Sequence, residues 1–171
     1  MLQYGTCLVL YLFLSVSFGS KLKFESEAEK DRIISLPGLE PEFEKELKMY
    51  SGYLNASSSK RLHYWFIEAN EPDGKPWALW LNGGPGCSSM EGLLTENGPF
   101  TIKMNSTSGS VYLARNKFGW TSAASMLYLE SPIGVGFSYT SNSSEYDHVG
   151  DISATTDAAN ALLKFLEVKT Q

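Results

Sequence analysis

The stretch Trp80-Leu81-Asn82-Gly83-Gly84-Pro85-Gly86-Cys87-Ser88-Ser89 decides the fold, because an apolar strand pattern ends in it and a helical pattern begins. Glycines at such a junction let the backbone turn sharply and come close to a ligand. Backbone N–H groups at the turn can bind carboxylates and oxyanions. An anion or oxyanion site and a plain tight turn both fit these residues. A phosphate loop fits poorly, because no Gly-Lys-Ser/Thr follows the glycines.

The residues around this turn predict an α/β sheet that starts with antiparallel strands. Short aromatic and branched runs predict four strands, at Tyr50–Leu54, Arg61–Glu68, Pro76–Leu81 and Met126–Leu129. The third of these is expected to be more buried than the first two. We expect helices at Ser88–Asn97 and 151–168, with Ser88 and Ser89 capping the first of them. One face of the second carries Thr155, Ala158, Ala159, Leu162, Phe165 and Leu166. The charged segment 20–48 predicts a surface arm with one short helix, and turn signals stand at 36–39 and 71–74.

The amino terminus has the pattern of a secretory signal peptide. Cys7 to Val16 is almost entirely apolar, yet it is too short to span a bilayer, which takes about 20 residues. Small residues at Ser17-Phe18-Gly19 suit signal peptidase, so we predict that residues 1–19 are removed. A buried N-terminal helix is the alternative, since no Lys or Arg precedes Lys21.

Export agrees with three Asn-x-Ser/Thr sequons, for which we predict glycosylation at Asn55, Asn105 and Asn142. The chain has two cysteines, and Cys7 would leave with the signal peptide. Cys87 would then have an absent partner, an intermolecular bond or a free thiol. The predicted location is the secretory pathway, either lysosomal or extracellular.

The composition suits one globular domain, with 43% hydrophobic residues and a net charge of −5. No basic patch supports nucleic-acid binding. We expect no cofactor, no metal and no stable membrane anchor.

The motifs together resemble the serine carboxypeptidase family, nearest its lysosomal cathepsin A-like members. The resemblance runs from about Asp31 to Phe165, and residues 167–171 fall outside it. Besides the glycine turn, it rests on Tyr50-Ser51-Gly52-Tyr53, His63-Tyr64-Trp65-Phe66, Glu96-Asn97-Gly98-Pro99-Phe100, Asn116, Trp120, Leu127-Tyr128-Leu129-Glu130-Ser131-Pro132 and Gly134-Val135-Gly136-Phe137-Ser138-Tyr139.

This resemblance implies an α/β-hydrolase fold and release of C-terminal residues from peptides at acid pH. It implies that Gly84 donates an oxyanion-hole N–H and that Asn82, Gly83 and Glu96 hold the terminal carboxylate of the substrate. A solvated helix residue is the alternative for Glu96. Cys87 resembles the family cysteine that pairs with a much later cysteine, which is absent here.

No catalytic triad is expected in these 171 residues. The Gly-x-Ser-x-Gly elbow of an α/β hydrolase does not occur, and Gly136-Phe137-Ser138-Tyr139-Thr140 comes nearest. In the family the elbow follows the helix that here covers 151–166, and the acid and His come later. Neither His63 nor His148 matches the catalytic His, and we predict a structural role for His63.

Two interpretations remain open. The chain is the N-terminal portion, residues 20–171, of a serine carboxypeptidase domain truncated before the elbow, and it is inactive alone. Its partners are then the missing C-terminal part and, in the complete enzyme, peptide substrates, with a Cys87-linked dimer as another association. Alternatively, it is a non-catalytic secreted glycoprotein that uses the same half-site for binding. The absence of the family's later cysteine and the incomplete sheet favour the first interpretation.

Overall fold

A computed structural model describes residues 28–84 and 86–167, and the predicted signal peptide lies outside these residues. The helices are α1 at Pro41–Glu46, α2 at Ser89–Glu91 and α3 at Asp151–Glu167. Strands β1 to β7 cover Met49–Asn55, Lys60–Ile67, Trp77–Trp80, Phe100–Met104, Val111–Arg115, Ser125–Leu129 and Tyr139–Thr140. A π-helical turn, Gly92–Glu96, continues α2, and 3₁₀ turns lie at Ala28–Asp31, Trp120–Ser122 and Ser143–His148.

In the described part of the chain, five strands form one mixed sheet in the order β1-β2-β6-β3, with the short β7 also paired to β2. Strand β2 is antiparallel to β1 and β6, whereas β3 runs parallel to β6. The parallel pair requires a crossover connection, and α2 and the β4–β5 hairpin lie within it. This mixed sheet confirms the predicted partial α/β-hydrolase class.

Strand β6 divides the interior into two cores, since successive side chains of a strand point to opposite faces. Leu127 and Leu129 pack in the core that α3 covers, through Ala158, Ala161 and Phe165. Met126 and Tyr128 pack in the opposite core with α1, α2 and the start of β4. All five residues of β6 are buried, as a central strand requires.

The structure corrects three predictions about local elements. The described part of segment 20–48, residues 28–48, is not simply a surface arm, because Leu39, Phe43 and Leu47 are buried in the second core. The helix predicted at Ser88–Asn97 is α-helical only over Ser89–Glu91 and then widens into the π-helical turn. Strand β3 is half-buried up to its last residue, Trp80, because β6 is its one neighbour among the described residues.

The buried face of α3 is displaced by about one residue from the predicted face. Ala158 and Phe165 are buried as expected, but Thr155 and Ala159 are exposed and Ala161 is buried instead. Lys60 of β2 explains part of this rotation, since it draws Asp157 under the sheet in an ion pair of 2.7 Å between Nζ and Oδ2.

Among residues 28–84 and 86–167, no helix combines the length and the apolar character needed to cross a membrane.

Candidate functional site

The glycine turn begins at the end of β3, where Asn82 is held from two sides. Its Oδ1 accepts a hydrogen bond from Trp80 Nε1 at 2.5 Å, and its backbone N–H donates to Ser89 Oγ at 3.1 Å. The Trp80 ring is itself packed edge-on against Trp120, with 5.5 Å between ring centroids. The side chain of Asn82 therefore has a fixed orientation at the mouth of the turn.

Glycine is required within the turn at Gly84 and Gly86, whose φ angles are +143° and +105°. A side chain at position 84 would also meet the Gly86 and Cys87 amide nitrogens, at 3.2 and 3.4 Å from its Cβ. Gly84 is exposed and Gly83 is half-buried, so the outer edge of the turn is open to a ligand. A backbone N–H in such a turn is fixed before any ligand arrives.

The far end of the turn is fastened to the end of β6 by two serines. Ser88 caps α2 as predicted, because its Oγ accepts a hydrogen bond from the Met90 N–H at 3.2 Å. The Ser88 hydroxyl also donates to the carboxylate of Glu130. Ser89 does not cap the helix as expected: its hydroxyl donates to the carbonyl oxygen of Leu129 at 2.7 Å.

Glu130 is completely buried beside this turn. Its Oε2 accepts hydrogen bonds from His63 Nδ1–H at 3.0 Å and from the Phe137 N–H at 2.8 Å. Burial by itself raises the pKa of the Glu130 carboxyl, but the hydrogen bonds from His63, the Phe137 amide and Ser88 outweigh it and hold the pKa below the usual glutamate value. Glu130 is therefore a carboxylate at neutral pH.

His63 connects this carboxylate to β1. With Nδ1–H donating to Glu130, a neutral ring accepts the Ser51 hydroxyl at Nε2, 2.8 Å away. The chain Ser51–His63–Glu130 has the connectivity of a Ser–His–acid triad. However, Ser51 lies within β1, in register with Trp65, and not on the sharp strand-to-helix turn that exposes a hydrolase nucleophile. The contacts agree with the structural role predicted for His63.

The helix after the turn packs directly on the Trp80–Asn82 hydrogen bond. A Cβ at Gly92 would lie 2.2 Å from Trp80 Nε1 and 2.7 Å from Asn82 Oδ1. Glu96 ends the π-helical turn that starts at Gly92, and π-helical turns often mark functional sites. Glu96 is exposed, so no described residue buries its carboxyl.

Tyr128 supports this end of the helix from below. Its hydroxyl donates to Asn97 Oδ1 at 2.9 Å. Burial, and then the negative charge of Glu96, raise the pKa of the Tyr128 hydroxyl above its usual range. Tyr128 thus connects the end of the π-helical turn to β6 through Asn97.

Comparison with known proteins connects this geometry to a family. The sequence profile of the serine carboxypeptidase family matches residues 37–171. The match therefore includes residues 167–171, which were expected to fall outside the resemblance. The chain is 50% identical to mouse lysosomal protective protein over 140 residues, which is 80% of this chain and 27% of that protein. It is 45% identical to serine carboxypeptidase 24 of Arabidopsis thaliana over 164 residues, or 93% of this chain and 34% of that protein.

The chain belongs to the serine carboxypeptidase family. It spans about a third or less of the length of the curated relatives it matches, for example 27% of mouse lysosomal protective protein and 34% of the Arabidopsis protein.

In this serine carboxypeptidase chain, the residues predicted for the site lie on two adjoining elements. Asn82, Gly83 and Gly84 share the turn, and Glu96 lies on the helix whose first π-helical residue, Gly92, contacts Asn82. Cys87, on the same turn, is half-buried and has no disulfide within the described residues. The sequon residues Asn55, Asn105 and Asn142 are all exposed.

Sequence reasoning missed Glu130 as part of this site. A signal was present, because a lone acidic residue directly follows the apolar run of β6 and precedes two glycines, Gly134 and Gly136. An acidic side chain at the end of a buried strand needs donors, and close glycines leave room for it.

Proposed function

We propose that this chain supplies the N-terminal part of a serine-type carboxypeptidase that removes C-terminal residues from peptides at acid pH. The observation that carries the proposal is the turn itself. Asn82 is fixed by Trp80 and Ser89, and Gly84 follows in a backbone conformation that favours glycine. Membership of the serine carboxypeptidase family supports the assignment of this arrangement as one half of a hydrolase site.

In this proposal Gly84 donates a backbone N–H to the oxyanion of the tetrahedral intermediate. Such a donor is aimed before the reaction and needs no reorganisation as charge develops. Asn82 and Gly83 hydrogen-bond the terminal carboxylate of the substrate, and Glu96 reaches it from the adjoining helix. A glutamate can hydrogen-bond a carboxylate only if one of the two carries a proton, so recognition weakens as pH rises.

The other catalytic groups of the proposed site are assigned to residues that this chain does not contain. The nucleophilic serine, the triad acid and the catalytic His are not among its motifs, and neither is the second oxyanion donor, the residue after that serine. The chain alone is therefore expected to be inactive.

We place the protein in the secretory pathway, lysosomal or extracellular. The name of the mouse relative, lysosomal protective protein, supports this location. Exposure of Asn55, Asn105 and Asn142 leaves room for a glycan at each sequon.

The test uses an extended protein in which a relative supplies the part of the site that this chain lacks. In the extended protein, residues 1–167 are followed by the part of mouse lysosomal protective protein that lies beyond the match. We expect this protein to hydrolyse a blocked dipeptide with a free terminal carboxylate at acid pH and to act poorly on the amidated dipeptide. Equal rates on both substrates, or a folded and secreted protein without activity, contradict the proposal. Tight peptide binding by the 171-residue chain alone would favour the non-catalytic glycoprotein instead.

A further inference from the structure

Glu130 has no part in the chemistry proposed above, yet it is among the most completely enclosed charged groups in the described residues. Burying a carboxylate is costly unless donors satisfy its oxygens. Both Glu130 oxygens are satisfied here. Oε2 accepts from His63 at 3.0 Å and from the Phe137 amide at 2.8 Å, and Oε1 accepts from Ser88. A carboxylate held in this way marks a junction between segments that are distant in the sequence.

The loop after β6 is shaped around this carboxylate. A Cβ at Gly136, where φ is +52°, would lie 1.8 Å from Glu130 Oε1. Ser138 closes the loop from the other side. Its hydroxyl donates to the Glu130 carbonyl at 2.6 Å and accepts the His63 N–H at 2.8 Å. Glu130 therefore cannot move without disturbing both β2 and its own loop.

The contact with Ser88 carries this rigidity to the glycine turn. Ser88 fixes the start of α2, and Ser89 bonds both the Leu129 carbonyl and the Asn82 N–H. The two ends of the turn are thus joined to each other and to the last residue of β6.

We propose that Glu130, supported by His63, is a positioning residue for the glycine turn. It fixes Ser88 and thereby the orientation of the Gly84 N–H, the proposed oxyanion donor. The inference rests on the proposed function, since it concerns the same turn. Displacing an oxyanion donor by about 1 Å can lower the reaction rate about a hundredfold, even if the donor keeps its hydrogen-bond partners. Glu130 touches no substrate and acts through the backbone it holds.

A carboxylate is required because three donors converge on it. Both oxygens of an ionised glutamate accept, whereas an amide offers one oxygen and one NH₂ group. In Glu130→Gln, the NH₂ group would face either the Ser88 hydroxyl or the donors from His63 and Phe137. The substitution keeps the volume and removes the match to the donors.

The test compares Glu130→Gln, Ser88→Ala and the double variant in the extended protein. We expect kcat per active site, counted by a fluorophosphonate probe, to fall roughly tenfold to a hundredfold in Glu130→Gln while KM changes by less than about threefold. Ser88→Ala lowers kcat in the same way. In the double variant kcat falls little further, because both changes break one connection.

Glu145→Gln is the matched control. Glu145 also accepts hydrogen bonds from two hydroxyls, those of Ser59 and Thr140, but it lies away from the turn.

A purely structural Glu130 would lower the yield or the unfolding temperature and leave kcat per active site unchanged, which would overturn the inference. Hydrogen exchange gives a second measurement that needs no activity. Amides of residues 82–84 and 86–89 should exchange faster in Glu130→Gln than in Glu145→Gln, and equal exchange would also overturn the inference. An inactive extended protein in which this difference persists would refute the proposed function and leave the positioning role standing.

Discussion

Lys60 and Asp157 form an ion pair beneath the sheet, with Nζ and Oδ2 2.7 Å apart and 15% and 8% of the two side chains exposed. The pair joins β2 to α3, and the adjacent Asn160 adds a hydrogen bond from Nδ2 to the Ala56 carbonyl at 3.0 Å. Helix α3 is therefore held by polar contacts along one side as well as by the packing of Phe165.

Removing one member of this pair should destabilise the fold. Asp157→Ala leaves a nearly buried ammonium without its partner, and such a change costs roughly 3 kcal/mol. The measurement is urea unfolding of the extended protein. Lys164→Ala, which breaks the exposed pair with Glu167, is the control and should cost less than about 1 kcal/mol. An equal loss of unfolding free energy in the two variants would mean that the buried pair stabilises the fold no more than the exposed pair does.

Gly92→Ala should lower the activity of the extended protein. The new Cβ would lie 2.2 Å from Trp80 Nε1, so either the helix or the Trp80–Asn82 hydrogen bond must shift. We expect a fall in kcat/KM of about tenfold or more, measured on the blocked dipeptide. Gly150→Ala is the matched control, because nothing lies within 4 Å of a Cβ there. Unchanged activity in Gly92→Ala would show that the fixed orientation of Asn82 is not needed at the proposed site.

The stabilisation that Glu130 contributes should depend on pH in one direction. The pKa of its carboxyl is lower in the folded protein than the usual value of 4.5, so folding favours the ionised form. The contribution is then fully present above the unfolded pKa and is lost as pH falls through the lowered folded pKa. We expect the difference in unfolding midpoint between the parent and Glu130→Gln to be largest near neutral pH and to shrink in strong acid. A difference that grows with acidity would contradict this sign.

Glu96→Gln should relax the acid preference of the extended protein. An amide donates a hydrogen bond to the substrate carboxylate at any pH, whereas a glutamate does so only when a proton is shared. The measurement is the pH profile of kcat/KM, with Glu145→Gln as the control. An unchanged profile in Glu96→Gln would exclude Glu96 from carboxylate recognition.

The 171-residue chain alone should neither hydrolyse the blocked dipeptide nor react with a fluorophosphonate. We also expect no sharp thermal transition, because one edge of β3 has no neighbouring strand among the described residues. Labelling and differential scanning calorimetry test both points. Stoichiometric labelling of Ser88, Ser89 or Ser138 would show that the chemistry had been assigned to the wrong residues.

The sequence predicted the elements whose patterns are local. Strands β1, β2 and β6 have apolar runs bounded by turn residues, and the helix at Asp151–Glu167 was predicted to within a residue at its start and end. The β4–β5 hairpin was missed because its strands expose apolar side chains such as Met104 and Val111, at 69% and 61%, and so show no clear burial pattern.

The turn of the candidate site could be predicted, but its support could not. Asn82, Gly83 and Gly84 stand together in the sequence, and the roles proposed for them come from the resemblance of that short motif to the family. Glu130 bonds His63 from 67 positions away and Ser88 from 42 positions away. The pairing of β2 with β6 brings His63 to Glu130, and the pairing of β3 with β6 brings Ser88 to it. Periodicity within one segment contains no information about either pairing.

Because the side chains of β6 alternate between two cores, the strand is sensitive to the loss of a single codon. Met126 and Tyr128 face one core, and Leu127 and Leu129 face the other. Losing one codon between 125 and 129 would turn every later side chain of the strand to the opposite face. Tyr128 would lose Asn97, and the carboxylate of Glu130 would point away from Ser88. An in-frame deletion of a single residue here should therefore be as damaging as a frameshift, although many apolar substitutions in the same strand would be tolerated.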